Sequence, residues 1–227
     1  MSNSAPYPLP LHFLVAHKKV FMVKYIYNKS EVYNMSKKKA AFLILTISYF
    51  LLTVCDLLLT FIATPDLELE GNPLVRGFGM DWFGLIAVNI LTYTLYFVMA
   101  YYSYIKYKSP KSAETQDVRR YLSDITYGDP EKVNIGMWRL PKYWSPQVAC
   151  LCFAVSTAMP IARLVIVFEW YFILKGIEAS LFFSIVAVFP MGRIDFFIAL
   201  FLAWGLTFVW IYSEFHANRD AVLKEKE

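Results

Sequence analysis

Charge is scarce in this chain. Asp, Glu, Lys and Arg together make up 18% of 227 residues, against about 25% in an ordinary soluble domain. The 22 basic and 18 acidic side chains nearly cancel, and the formal charge of +4 is too small to point to a nucleic-acid partner. Cysteine is equally sparse. Cys55, Cys150 and Cys152 fall in or beside apolar runs, with no C-x-x-C and no Cys/His ligand spacing, so neither a disulfide framework nor a zinc site is expected. The three histidines, His12, His17 and His216, lie outside the apolar runs, which leaves no His-rich desaturase pattern. A phosphate-cradling glycine loop and a paired-aspartate phosphotransferase motif are missing too. No metal and no cofactor are expected.

What the chain has instead is apolar sequence, 58% of it hydrophobic with a mean hydropathy of +0.44. That content is concentrated in runs, which is the signature of a polytopic membrane protein. Four runs reach the roughly 20 residues that a ~30 Å hydrocarbon core demands. They are Ala40 to Ala63, Trp82 to Ile105, about Val148 to Leu174, and Ile194 to Phe215. The expected fold class is therefore an all-α transmembrane helix bundle. Gly176 to Pro190 is apolar but short and closed by Pro190-Met191-Gly192-Arg193. That length suits a re-entrant or interfacial helix, with a fifth span as the rival reading.

Lysine and arginine set the orientation. Seven precede the first span, eight (Lys106, Lys108, Lys111, Arg119, Arg120, Lys132, Arg139, Lys142) lie between the second and third, and Arg219, Lys224 and Lys226 follow the fourth. Only Arg76 lies between the first two spans, and only Lys175 and Arg193 between the last two. The positive-inside rule then expects a multi-pass cell-membrane protein with both termini and the long middle loop in the cytoplasm. A five-span count would put the basic tail outside.

The chain thus divides into an N-terminal cytoplasmic segment (1–39), a bundle (40–215) with a cytoplasmic loop (106–147), and a tail (216–227). Residues 1–34 are too polar to span and carry no signal-peptide cleavage pattern. They either lie at the cytoplasmic interface or follow from a start read too early, since Met35-Ser36-Lys37-Lys38-Lys39 resembles a natural beginning. In the loop, Asp117 to Ile125 reads as a short helix carrying Arg119 and Arg120, and Trp138, Tyr143 and Trp144 read as interfacial anchors. Headgroup contact accounts for such a loop, and docking of a cytosolic partner is the alternative.

Asp56 stands out because it sits inside the first span. A carboxylate at that depth costs a few kcal/mol (roughly 2.5–3.5), so an intramembrane acid is a functional-site hypothesis by default. Asp56 lies seven residues from the outer end of its span and Asn89 seven from the outer start of the second. At roughly 1.5 Å per residue both sit about 10 Å deep. Arg163 is eleven residues from the outer end of span three, about one turn deeper, and its long side chain spans that difference. Glu169 is nearer the surface, Asp195 opens span four, and Thr60 shares a helix face with Asp56. Singly, such residues often do no more than neutralise one another or hydrogen-bond between helices. Together they read as a polar pocket open to the outside. The loop that follows adds Glu70 and Asn72, with Asn72 placed to cap a turn that begins at Pro73 and Glu70 able to fold over the pocket mouth.

The pattern Asp56-x-x-x-Thr60 followed by Glu70-x-Asn72-Pro73 resembles an uncharacterised family of small prokaryotic integral membrane proteins, a domain of unknown function. The resemblance covers about Phe42 to Tyr104 and leaves spans three and four outside. It implies a membrane protein with a polar cluster and no particular reaction.

The expected site is therefore Asp56, Thr60, Glu70, Asn72, Asn89, Arg163, Glu169 and Asp195, binding a small polar ligand, a proton or a lipid headgroup. The partners expected are the lipid bilayer and a second copy or a membrane complex, and nucleic acid is excluded. One alternative is an accessory or structural subunit of a membrane complex. Another is an intramembrane hydrolase or peptidase, with Asp56 and Asp195 as a proton-sharing dyad. Against the last, Gly77-Phe78-Gly79-Met80-Asp81 departs by one residue from the aspartyl intramembrane protease signature, and the cysteines are badly placed for a sorting-type transpeptidase. The balance favours a non-enzymatic role.

Overall fold

The computed structural model describes residues 11–68, 77–133, 140–176 and 194–226, with side chains from residue 37 onward. Two compact units divide the chain, Met1–Ala41 and Phe42–Glu227. Every regular element among the described residues is a helix: α1 (Leu11–Ala63), α2 (Trp82–Tyr101), α3 (Val118–Tyr127), α4 (Ser145–Leu174) and α5 (Ile194–Lys226). The protein is all-α, and among the described residues four helices are long and apolar enough to cross a membrane, over Lys37–Ala63, Trp82–Lys106, Ser145–Leu174 and Asp195–Glu225. These coincide with the four runs read from hydropathy. Glu70, Asn72, Pro73, Arg76, Trp138 and the segment 177–193, where the re-entrant helix was expected, lie outside the described residues.

Aromatic contacts show that α1 and α2 are antiparallel. Phe42 meets Phe97 at 5.4 Å between ring centroids, Tyr49 stacks on Tyr96 at 4.1 Å, and Phe61 meets Trp82 at 5.4 Å. The turn joining them is closed by the Trp82 indole, which donates to the Pro65 carbonyl at 2.7 Å, and by Leu67 and Leu85 packed together under Leu57, Met80 and Trp82. Asp81 begins α2 as an N-cap, its Oδ1 accepting from Gly84 N at 2.9 Å. That capping role accounts for the acid that follows the two loop glycines.

Helix α4 occupies the middle of the bundle, with Ala149, Ala154, Ala158 and Ala162 all buried. Small side chains let neighbouring helices approach closely where no hydrophobic effect drives them together. Pro160 sits inside α4. Lacking an N–H, it leaves the Ser156 carbonyl without its intrahelical donor, and Tyr96 Oη on α2 takes that carbonyl at 3.1 Å. A backbone hydrogen bond lost within one span is thereby replaced by an interhelical one.

At the other end of the bundle α2 finishes in a π-turn, Tyr102–Lys106. Beyond it α3 packs on α5 through Tyr121, Ile125 and Phe215. Asp117, read from the sequence as the first residue of this helix, is instead its N-cap, with its side chain accepting from Arg119 N, and Gly128 ends it in the left-handed conformation at φ 69°. Asn218 on α5 clasps the loop. Its Oδ1 accepts from Ser112 N at 3.0 Å, and its Nδ2 donates to the Ser112 and Glu114 carbonyls at 3.0 and 3.2 Å. The loop's small core is therefore shared with α5, which stays helical through residues 216–226.

Candidate functional site

Asp56 projects from α1 one turn before Thr60, Asn89 from α2 one turn after Leu85, and Arg163 from α4 one turn after Pro160. Arg163 joins them. Its Nη1 donates to Asp56 Oδ2 at 2.5 Å and its Nη2 to Asn89 Oδ1 at 3.3 Å. Asn89 is held in place by its own Nδ2, which donates to the Leu85 carbonyl at 2.9 Å. The guanidinium also lies over the Tyr49 ring, with Cζ 5.7 Å from the centroid, a cation–π arrangement that strengthens away from water.

All of this is buried. Asp56 and Asn89 are each 8% exposed and Tyr49 only 1%. Buried charge at this density is tolerated because each charge has a partner. The Trp170 side chain on α4 and the Asp195 carboxylate at the start of α5 both lie near enough to act on Asp56. Three helices thus meet in one hydrogen-bonded cluster, and the charge of Asp195 reaches it from a fourth. Two of its members, Tyr49 and Trp170, were not among the residues singled out from the sequence. Both were hidden by being aromatic in an aromatic-rich span, and their only legible signal is helical spacing. Tyr49 is seven residues before Asp56, and Trp170 seven after Arg163, so each shares a face with its charged neighbour.

The remaining expected residues divide. Thr60 is buried, but among the described residues it makes no hydrogen bond to the Asp56–Arg163 pair. Its one-turn offset places it on the right face but one turn nearer the end of α1. Glu169 is half-buried on α4. Asp195 is buried at the start of α5, near enough for its charge to act on Asp56. Among the described residues no group of three or more His, Cys, Asp or Glu side chains is arranged to hold a metal ion.

A second buried polar group lies at the opposite end. Glu214 on α5 is 8% exposed, and its charge acts on Tyr107, Tyr121 and Cys150. Burial pushes the Tyr121 phenol up to about 12 and that of Tyr107 further still, in both cases with Glu214 adding to the effect. The Tyr107 ring packs on Trp210 at 5.8 Å, and Trp210 is one turn from Glu214 on the same face of α5.

Comparison with protein families, with curated proteins and with solved structures finds no match.

Proposed function

We propose that this is a small multi-pass cell-membrane protein with both termini cytoplasmic, whose Asp56–Arg163 site binds a small polar ligand or a proton reached from the outer face. The observation that carries this reading is the hydrogen-bonded meeting of Asp56, Asn89 and Arg163 from three different helices in one buried cluster, with the charge of Asp195 reaching Asp56 from a fourth. A pair needed only for helix register requires two helices. Intramembrane ionisable groups gathered in this way mark ligand or ion sites as a rule. The proposed orientation comes from the lysine and arginine distribution, and the proposed kinship with the uncharacterised prokaryotic family from Asp56-x-x-x-Thr60 and Glu70-x-Asn72-Pro73.

Hydrolysis by an Asp56–Asp195 dyad is disfavoured, because the Asp56 carboxylate faces the Arg163 guanidinium, whereas the two carboxylates of a dyad face each other. The accessory-subunit reading draws on α5, which keeps Phe201, Trp204 and Phe208 exposed, although lipid covers such a face equally well. Infrared difference spectroscopy of the purified protein, with native mass spectrometry in mild detergent, separates the two. A carboxyl band that responds to pH or to an added zwitterion, and is lost in Asp56→Asn, supports the site. A silent band together with a stoichiometric protein partner transfers the assignment to the accessory role.

A further inference from the structure

The bundle holds two groups of buried acids, Asp56 with Asp195 towards one end and Glu214 towards the other. Hydroxyl side chains are strung between them. Tyr49 lies under the Arg163 guanidinium and stacks on Tyr96. Tyr96 Oη reaches the Ser156 carbonyl left open by Pro160. Farther along, Tyr104 Oη pairs with Thr157 Oγ1 at 2.8 Å. The Thr157 hydroxyl donates to the Phe153 carbonyl at 2.7 Å, which makes Tyr104 the donor in that pair. The Phe153 ring in turn packs against Tyr104 and against the cluster of Tyr107, Ala149 and Trp210, one turn from Glu214. Residue by residue, the order along the bundle runs Asp56, Tyr49, Tyr96, Tyr104, Tyr107, Glu214.

Two features set this line apart from ordinary aromatic packing. The Tyr49 and Tyr107 hydroxyls, one near each acidic end, are buried and make no hydrogen bond of full geometry, although Arg163 and Ser109 respectively lie close enough to act on them. Buried polar groups left open by the fold are where internal water is held. The line also passes by Pro160, which frees the Ser156 carbonyl within α4, and through the π-turn Tyr102–Lys106 at the end of α2. The π-turn lies between Tyr101, which faces Phe42, and Tyr107, which faces Trp210. Such turns recur at functional sites because they re-aim side chains without ending the helix.

We propose that the protein conducts protons across the bundle along a hydrated path from Asp56 to Glu214, with the hydroxyls of Tyr49, Tyr96, Tyr104 and Tyr107 positioning the water between them. The proposal rests on the reading of Asp56 as a proton-binding group and extends it. A proton adds to a carboxylate oxygen at one end. Each water passes on one proton as it receives the next, and the carboxylate at the other end releases one, so a single proton enters for each that leaves. Among the described residues, the charged or titratable neighbours of Asp56 include Arg163, Asp195 and Tyr49, and those of Glu214 include Tyr107, Tyr121 and Cys150.

The test uses the full chain in liposomes loaded with a pH-sensitive dye, with potassium and valinomycin to balance charge. Wild type should collapse an imposed pH gradient several-fold faster than protein-free vesicles. Tyr49→Phe and Glu214→Gln should each return the rate to the protein-free value, while Cys55→Ser, on a lipid-facing position, should leave it at the wild-type value. Circular dichroism and gel filtration establish that each variant is folded, and Tyr107→Phe serves if Glu214→Gln is not. A wild-type rate equal to that of empty vesicles overturns the path, as does a folded Tyr49→Phe and Glu214→Gln pair that conducts normally. If the Asp56 carboxyl band still responds to pH in that event, the binding site stands and only the path falls. If the band is silent as well, both fall.

Discussion

Arg163 on α4 reaches across the bundle to Asp56 on α1, 107 residues away in sequence, and with its second nitrogen holds Asn89 on α2. Side-chain exposures of 15% and 11% mean that both charges have lost most of their contact with solvent. Each therefore depends on the other.

That dependence fixes the outcome of a double-mutant cycle. Asp56→Asn or Arg163→Gln alone leaves one buried charge without its partner and should cost about 3–5 kcal/mol. The double change leaves no charge and should cost less than either single one. Thermal unfolding in detergent measures this, and additive losses would show that the two residues act independently.

Topology follows from charge asymmetry. Reporter fusions after Gly71 and Lys175 should read external, and those after Glu114 and Glu227 internal. An external reading at Glu227 contradicts the orientation proposed here.

Asn218 should govern the loop without touching the bundle. Asn218→Ala removes three hydrogen bonds and strands the Ser112 N–H, at a cost of about 1–3 kcal/mol. Asn218→Asp keeps the acceptor but sets a carboxylate against two carbonyls. Hydrogen exchange over 109–127 should rise in both variants while α1 and α2 stay protected. Faster exchange throughout the bundle would mean that α5 itself had come loose.

Alkaline pH should weaken the same region. Tyr121 is fully buried and its phenol is pushed up to about 12, whereas an unfolded tyrosine titrates near 10. Between those values the unfolded chain loses a proton that the folded one keeps. The contribution is therefore complete below about pH 10 and lost as pH rises through about 12. Tyr121→Phe should make the alkaline fall in melting temperature shallower, and an unaltered slope would assign the effect to other groups.

Hydropathy and length alone place the four long helices, because a span in lipid must satisfy its own backbone and so must be a helix of about 20 apolar residues. The same arithmetic of depth, 1.5 Å per residue counted from each span's end, puts Asp56, Asn89 and Arg163 within reach of one another. Desolvation gives those three a reason to meet, and they do. Tyr49, Trp170 and Tyr96 follow a different logic. Their chain spacing is that of any apolar stripe, and what they touch depends on how α1, α2 and α4 are rotated about their axes. Packing of small residues and the carbonyl freed at Ser156 decide that rotation. The clasp of Asn218 on Ser112 and the burial of Glu214 beside Tyr107 are likewise invisible in the sequence. They require α5 to continue past its apolar run and the loop to fold back onto it, a long-range contact that no local pattern encodes.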